Sequence, residues 1–340
     1  MTITKVKQKG EIDTRAGINA LLLLSAPINV AVLQALADGP KALIYLRRAA
    51  GSPPQTTMRG HLRALIELEI LEKHRRNDFP GPVDVQLTLR GSSLLFVAEI
   101  VRGWLATAPD GPIALGSSDA KSAIKALIEG WNSNMVRALA ARPLSLTELD
   151  RVIGNFNYPS IERRLAAMRL AGQVRAMLGR GRSTPYEVTN WLRRSIGPLG
   201  AAIQWERSYL RADATPVSNR DAEATFLLGI PLLDLPADFS GRCRLAVEMR
   251  SQAGSALTGV MVTVVEGKVA SCISRLGGEA DAWASGGVTD WLHAVIQGDV
   301  AHLELGGDGS LATAVVDGLH GVLSAPVLPK GAPRSSLSSL

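Results

Sequence analysis

The sequence predicts a multidomain α+β protein, with two copies of one mostly helical unit followed by an α/β unit. Three observations predict it. The chain aligns with itself at an offset of 103, so that Pro27–Glu72 lies over Gly130–Arg175 without a gap. Asn29, Ala35, Leu36, Ala37, Pro40, Leu43, Leu46, Gly51, Leu62 and Ala64 then meet identical residues; farther on, at an offset of 101, Thr88 meets Thr189 and Trp104 meets Trp205. Two copies of about 80 residues make two related domains, not a solenoid. Next, 340 residues exceed what one ordinary core serves. Finally, the charge is divided: residues 1–110 carry +4, residues 111–212 carry +8 and residues 213–340 carry −6. A basic two-thirds joined to an acidic third suggests a part that faces a polyanion and a part with another task.

In the second copy, Ile124, Leu127, Ile128, Trp131, Met135, Val136 and Leu139 recur at helical spacing, which predicts a helix over 122–141 stopped by Pro143. A short helix follows at 145–153. Asn155 or Asn157 caps a third helix, with Pro159 in its first turn, Ile161, Leu165 and Met168 as its buried stripe, and Gly172 at its end. Strands 174–178 and 186–188 flank the turn GRGRSTP, and a helix over 191–210 closes the unit. The first copy repeats the order. Helix 31–36 and a helix marked by Leu43, Leu46 and Ala50 precede a third helix capped by Ser52, with Met58, Leu62 and Leu65 inside. Strands 71–75 and 83–89 flank NDFPGP, and helix 94–105 closes the unit.

The run from Ala16 to Ala37 carries no charge over 22 residues, but Asn19, Ser25, Asn29 and Gln34 interrupt it and Pro27 splits it. A membrane span needs about 20 mostly apolar residues, so a buried helix pair is expected and no membrane partner. Cys243 and Cys272, both in the acidic third, form neither a disulfide framework nor a CxxC zinc motif. With no signal peptide evident after the basic start MTITKVKQKGEIDTR, a reduced, cytoplasmic setting is expected.

Helix–helix–helix–hairpin–helix is the winged helix order. The pattern ALA-x-x-P, a leucine in the middle of the next helix, L-x-x-L in the third, and a wing ending in V/L-T resembles the HxlR and MarR-like winged helix regulators over residues 26–106 and 129–206. The second copy fits the HxlR pattern better, with Trp131, IERRLAAMRLAGQV and YEVT. The resemblance implies double-stranded DNA as partner, with the third helix entering the major groove by its N-terminal residues. Placed on this chain, those residues are Gln55, Thr56, Thr57, Arg59 and Arg63 in the first copy and Tyr158, Ser160, Arg163 and Arg164 in the second. Gln and Arg read base edges through paired hydrogen bonds, and Ser and Thr serve bases or phosphates. Arg75 and Arg76 beside the first wing, and Arg180 and Arg182 on the second, suit a narrow minor groove or its phosphates. One chain carrying both units is expected to act as a monomeric pseudo-dimer on two half-sites; a homodimer is the alternative.

Residues 213–218 read as a linker. Beyond it, strands are expected at 224–233, 242–250, 259–265 and 267–273, then a loop, a helix at 289–296, a strand at 301–305 and a helix at 310–323. The run ADAWASGGVTDWLHAVIQGDVAHLELGGDGSLATAVVDGLHGVL resembles the sterol carrier protein 2-like fold, which implies an apolar cavity for a hydrophobic effector. Met249, Met261, Trp283, Trp291 and Leu292 are candidates to line it. The expected organisation is therefore winged helix domains at 1–110 and 111–212, a sterol carrier protein 2-like domain at 213–326 and a disordered tail at 327–340.

No HExxH, Walker loop or GxSxG is present, His293, His302 and His320 lack metal-ligand spacing, and LGGDGS reads as a turn. The expectation is a transcriptional regulator, not an enzyme, with no catalytic residue, metal or cofactor. Two other classes stay open: a carrier or interaction protein whose winged helices meet protein, and an enzyme using the C-terminal cavity.

Overall fold

The computed structural model describes residues 15–75, 83–154, 156–178, 184–210, 216–251 and 254–324 of a mixed α+β chain. The first unit runs α1 (Ile18–Leu24), α2 (Pro27–Ala35), β1 (Lys41–Ala42), α3 (Leu43–Ala49), α4 (Gln55–Glu67), β2 (Leu71–Arg75), β3 (Val83–Leu87) and α5 (Leu89–Leu105). The second runs α6 (Ser118–Asn132), α7 (Met135–Ala141), β4 (Leu144–Ser145), α8 (Leu146–Ile153), α9 (Tyr158–Leu170), β5 (Val174–Ala176), β6 (Pro185–Val188), α10 (Asn190–Arg193) and α11 (Ile196–Tyr209). Their sheets have the same order, β1-β3-β2 and β4-β6-β5.

The repeat holds down to single hydrogen bonds. The bounds of α4 and α9 differ by the alignment offset at both ends. Thr88 caps α5 and Thr189 caps α10; their hydroxyls donate to the carbonyls of Glu69 and Ile70, and of Gly172 and Gln173. Glu69 adopts the left-handed conformation of its counterpart Gly172, at φ 55° against 73°. A side chain there costs about 1–2 kcal/mol; Glu69 also forms an ion pair with Arg90.

Several local expectations are corrected. A two-residue strand, unmarked in the sequence, enters each unit before α3 and α8. The helix expected over 122–141 breaks at Ser133–Asn134, where Asn134 is left-handed (φ 62°), a conformation its short polar side chain tolerates. The second closing helix breaks into α10 and α11; Pro198, lacking an N–H, sits in the first turn after the break. The first begins at Leu89, five residues earlier than expected. Ser52 does not cap α4: it is left-handed itself, and the cap position falls on Pro54. Asn157, by contrast, does cap α9, accepting from the Ser160 N–H.

α1 and α2 are the expected buried pair. They meet at an 81° bend, and among the described residues no single helix is long and apolar enough to cross a membrane. Glu206 of α11 caps α1, its buried carboxylate accepting from the N–H groups of Gly17 (2.8 Å) and Ala20 (3.0 Å). Burial raises its pKa above the ordinary carboxylate value against the pull of those bonds. The unfolded chain therefore gives up this proton first as pH rises. Its contribution is fully present below the ordinary carboxylate range and is lost as pH rises through the folded value. Denaturation midpoints from about pH 4 to about pH 8 should show wild type losing ground to Glu206→Gln with rising pH; a constant difference between the two proteins contradicts this.

The C-terminal unit contains α12 (Asn219–Gly229), β7 (Gly241–Ser251), β8 (Gly254–Val265), β9 (Lys268–Ile273), β10 (Ala282–Gly287), α13 (Val288–Leu292) with a π turn at His293–Gln297, β11 (Glu304–Gly307) and α14 (Gly309–Ser324). The sheet order is β11-β10-β7-β8-β9, with β10 parallel to β7 and the other pairs antiparallel. Cys243, Leu245 and Val247, with Val260, Val262 and Val264 across from them, form a buried face with Ala282 and Ala284. Helices α12, α13 and α14 pack on this sheet.

Three expectations fail in this unit. The apolar run at 224–233 is not a strand: a capping box at Ser218 and Asp221 starts α12, which continues to Gly229. The segment expected to be a loop contains β10, and the strand expected at 301–305 is displaced to Glu304–Gly307.

Candidate functional site

α4 and α9 are each the third helix of a unit and split cleanly into two faces. Met58, Leu62 and Leu65 of α4, and Ile161, Leu165 and Met168 of α9, are buried. The opposite face of α4 leaves Gln55, Thr56, Thr57, Arg59 and Arg63 all exposed. On α9, Arg163 is exposed, whereas Tyr158, Ser160 and Arg164 are half-buried. Arg76, Arg180 and Arg182 lie outside the described residues, as does the side chain of Arg75, whose backbone ends β2.

Arg163 and Arg164 are neighbours in sequence but not in environment. The Arg164 guanidinium carbon lies 4.3 Å from the centre of the Phe156 ring, and one terminal nitrogen donates to the Ser160 carbonyl (3.3 Å). Burial draws its pKa below the usual guanidinium value. The repeat-equivalent His61 is also engaged internally, its Nδ1 lying 2.8 Å from Asn29 Oδ1 on α2. This position is thus engaged within the protein in both copies, and Arg163 is the α9 arginine of the pair that faces solvent. The basic positions on the two helices do not coincide: at the alignment offset Arg59 faces Glu162, Arg63 faces Ala166 and Gly60 faces Arg163. Sequence reasoning passed over Arg48 and Arg151. They are exposed, repeat-equivalent and set in the last turns of α3 and α8, a signal already present in the self-alignment.

The two units are joined through their closing helices. Trp104, late in α5, donates from Nε1 to the Trp191 carbonyl at the start of α10 (2.9 Å). Trp205, late in α11, donates from Nε1 to the Arg90 carbonyl at the start of α5 (3.0 Å). Both donor and acceptor shift by 101 from one bond to the other, so each unit gives the other what it receives. That reciprocity is the signature of a two-fold, isologous contact. Neither a protein-family model nor a curated protein matches this chain.

The five residues expected to line a hydrophobic site are not gathered in one place. Trp291 and Leu292 do line an apolar pocket, together with Ile203 of α11, Phe226 of α12 and Val295. Trp291 meets Phe226 edge-on at 4.7 Å and donates to the Ala246 carbonyl (2.8 Å). Met261 pairs with Arg244 and so points to the sheet face opposite Val260 and Val262. Trp283 lies against Gly306 of β11, where any Cβ would stand 2.3 Å from the indole ring. The side chain of Met249 lies outside the described residues. Burial pushes the thiols of Cys243 and Cys272 up to about 12, so neither is an activated thiolate. Among the described residues, no group of three His, Cys, Asp or Glu side chains is placed to hold a metal ion.

Proposed function

We propose that this chain is a cytoplasmic, DNA-binding transcriptional regulator. Its two repeated units are HxlR/MarR-like winged helices that act as a built-in pseudo-dimer, and its C-terminal, sterol carrier protein 2-like unit takes a hydrophobic effector. The reciprocal tryptophan bonds carry this reading, because each unit makes to the other the contact it receives, as a built-in pseudo-dimer of two half-site readers requires. The exposed polar N-terminal face of α4, the exposed Arg163 and the +12 carried by residues 1–212 add to it. Since arginines stand at different positions on α4 and α9, the operator is asymmetric, with half-sites about one helical turn, roughly 34 Å, apart.

Genomic pull-down followed by footprinting tests this. One chain should protect both half-sites. Alanine at Arg59 or Arg63 should relax the first and alanine at Arg163 the second, each by about 1–3 kcal/mol where the arginine reads a base. An arginine that touches only phosphate should instead lower the salt slope by about one. No enriched sequence at any salt concentration sinks the reading.

A second reading, an interaction protein whose second unit docks another protein, is favoured by Leu170, Met177 and Leu178, which stay exposed at the end of α9 and beyond β5. Salt separates the two: DNA binding weakens steeply as it rises, and apolar docking does not.

A further inference from the structure

Where the closing helices meet the C-terminal unit they leave a cleft of about 410 Å³. α5 supplies Ser93, Phe96, Val97 and Ile100 as one wall; Gln204, Trp205, Ser208 and Tyr209 of α11 form another; Ile296 and Leu323 close the floor. The floor is shared, because Ile296 and Leu323 also line the apolar pocket around Phe226 and Trp291. Gly200 allows this approach: a Cβ there would stand 3.0 Å from Leu323 Cδ2.

Three features distinguish the cleft from a packing gap. Its volume is that of a small-molecule site. Phe96, at its wall, remains 66% exposed, apolar surface that a ligand would cover. The third feature is a departure from the repeat. Where the first unit has Gly103 and Ala108, the second places Gln204 and Tyr209 in the cleft, adding an amide and a phenol to a wall whose counterpart has neither. Among the described residues no acidic or basic side chain lines it, and Arg90, 5.9 Å from the centre of the Tyr209 ring, is already paired with Glu69, so a charged ligand would lose its hydration without a free counter-charge.

We propose that this cleft binds an uncharged, amphipathic small molecule. Its apolar body lies against Phe96, Val97 and Trp205, and its polar group meets Gln204, Ser208 or Tyr209. The site belongs to the junction of all three units and not to the interior of the C-terminal one. Occupancy would couple to DNA through α5 and α11; that consequence, unlike the binding, rests on the regulator reading.

The test titrates the full chain, without DNA, with 2-naphthol and with its charged counterpart 2-naphthalenesulfonate, following probe fluorescence. One saturable 2-naphthol site per chain is expected, with the sulfonate at least about tenfold weaker. Ser93→Phe on α5 and Ala201→Phe on α11, where Ala201 also lines the cleft, should each weaken 2-naphthol at least about tenfold while leaving the thermal unfolding midpoint of at least one of them near wild type. No saturable site, equal binding of the two probes, or binding untouched by a folded filling variant overturns the proposal. The failure of DNA pull-down would overturn only the regulator reading.

Discussion

Trp104→Ala is expected to destabilise the protein by about 3–5 kcal/mol, the range for truncating a fully buried tryptophan. Its side chain is completely buried, stacked on Trp191 with ring centres 4.5 Å apart and planes within 7°, and its indole N–H satisfies the Trp191 carbonyl. Alanine leaves a cavity and removes that donor together. Trp104→Phe separates the two effects: it keeps most of the ring and loses the donor, and should cost about 1–3 kcal/mol. Trp205→Ala belongs to the same class, since Trp205 is 2% exposed and makes the reciprocal bond to Arg90. Both tryptophans serve one contact of α5 with the α10–α11 pair, so the double variant should lose less than the sum of the single losses. Chemical denaturation of the four proteins measures this. A loss below about 1 kcal/mol for Trp104→Ala would show that the two units do not depend on this contact.

On the proposed function the same substitution has a second effect. Two half-site readers held in one geometry gain about 10²–10⁴ in affinity over either alone, and lose it when the geometry fails. Trp104→Ala should therefore weaken binding to the full operator far more than to an isolated half-site, although the residue is buried away from either third helix's exposed face.

What the sequence made legible was what repeats and what alternates. The self-alignment locates α4 and α9, and helical periodicity separates Met58, Leu62 and Leu65 from Gln55, Arg59 and Arg63. The matching of Trp104 with Trp205 was visible as well. Their acceptors were not, because main-chain carbonyls at Trp191 and Arg90 leave no mark in a sequence. Arg164 looked equivalent to Arg163 because nothing local says that Phe156 lies beneath it. β10 escaped for another reason. Its AWASGG is poor in β-branched residues, and the small Ala282 and Ala284 fit where α14 packs on the sheet, so tertiary context decides the strand. For α12 the sign was present: Ser218, the last residue of what reads as a linker, forms a capping box with Asp221. The cleft involves residues from Ser93 to Leu323 and is wholly a product of long-range packing.

Gly259→Ala is expected to be the most damaging small substitution in the C-terminal unit, costing about 3 kcal/mol or more. Gly259 sits in β8 opposite Ala246, and a Cβ built there would stand 1.9 Å from the Leu245 carbonyl oxygen, 3.0 Å from its carbon and 3.1 Å from Ala246 Cα. All three atoms are backbone of β7, the strand at the centre of the sheet, so no side chain can turn aside to make room. Relief requires the β7–β8 ladder to part, which would disturb the buried face that carries Leu245 and Val260. Gly277→Ala is the control. It lies in the loop between β9 and β10 with nothing within 4 Å of a built Cβ, and should be neutral within about 0.5 kcal/mol. Thermal unfolding and hydrogen exchange of the full chain read the contrast. Gly259→Ala should lose amide protection across β7 and β8 while α4 and α9 keep theirs, because the strain originates in the C-terminal sheet. Unchanged protection in both strands would mean that the ladder absorbs a methyl group at this crossing, and that the close approach of β7 to Gly259 does not hold the hairpin in register.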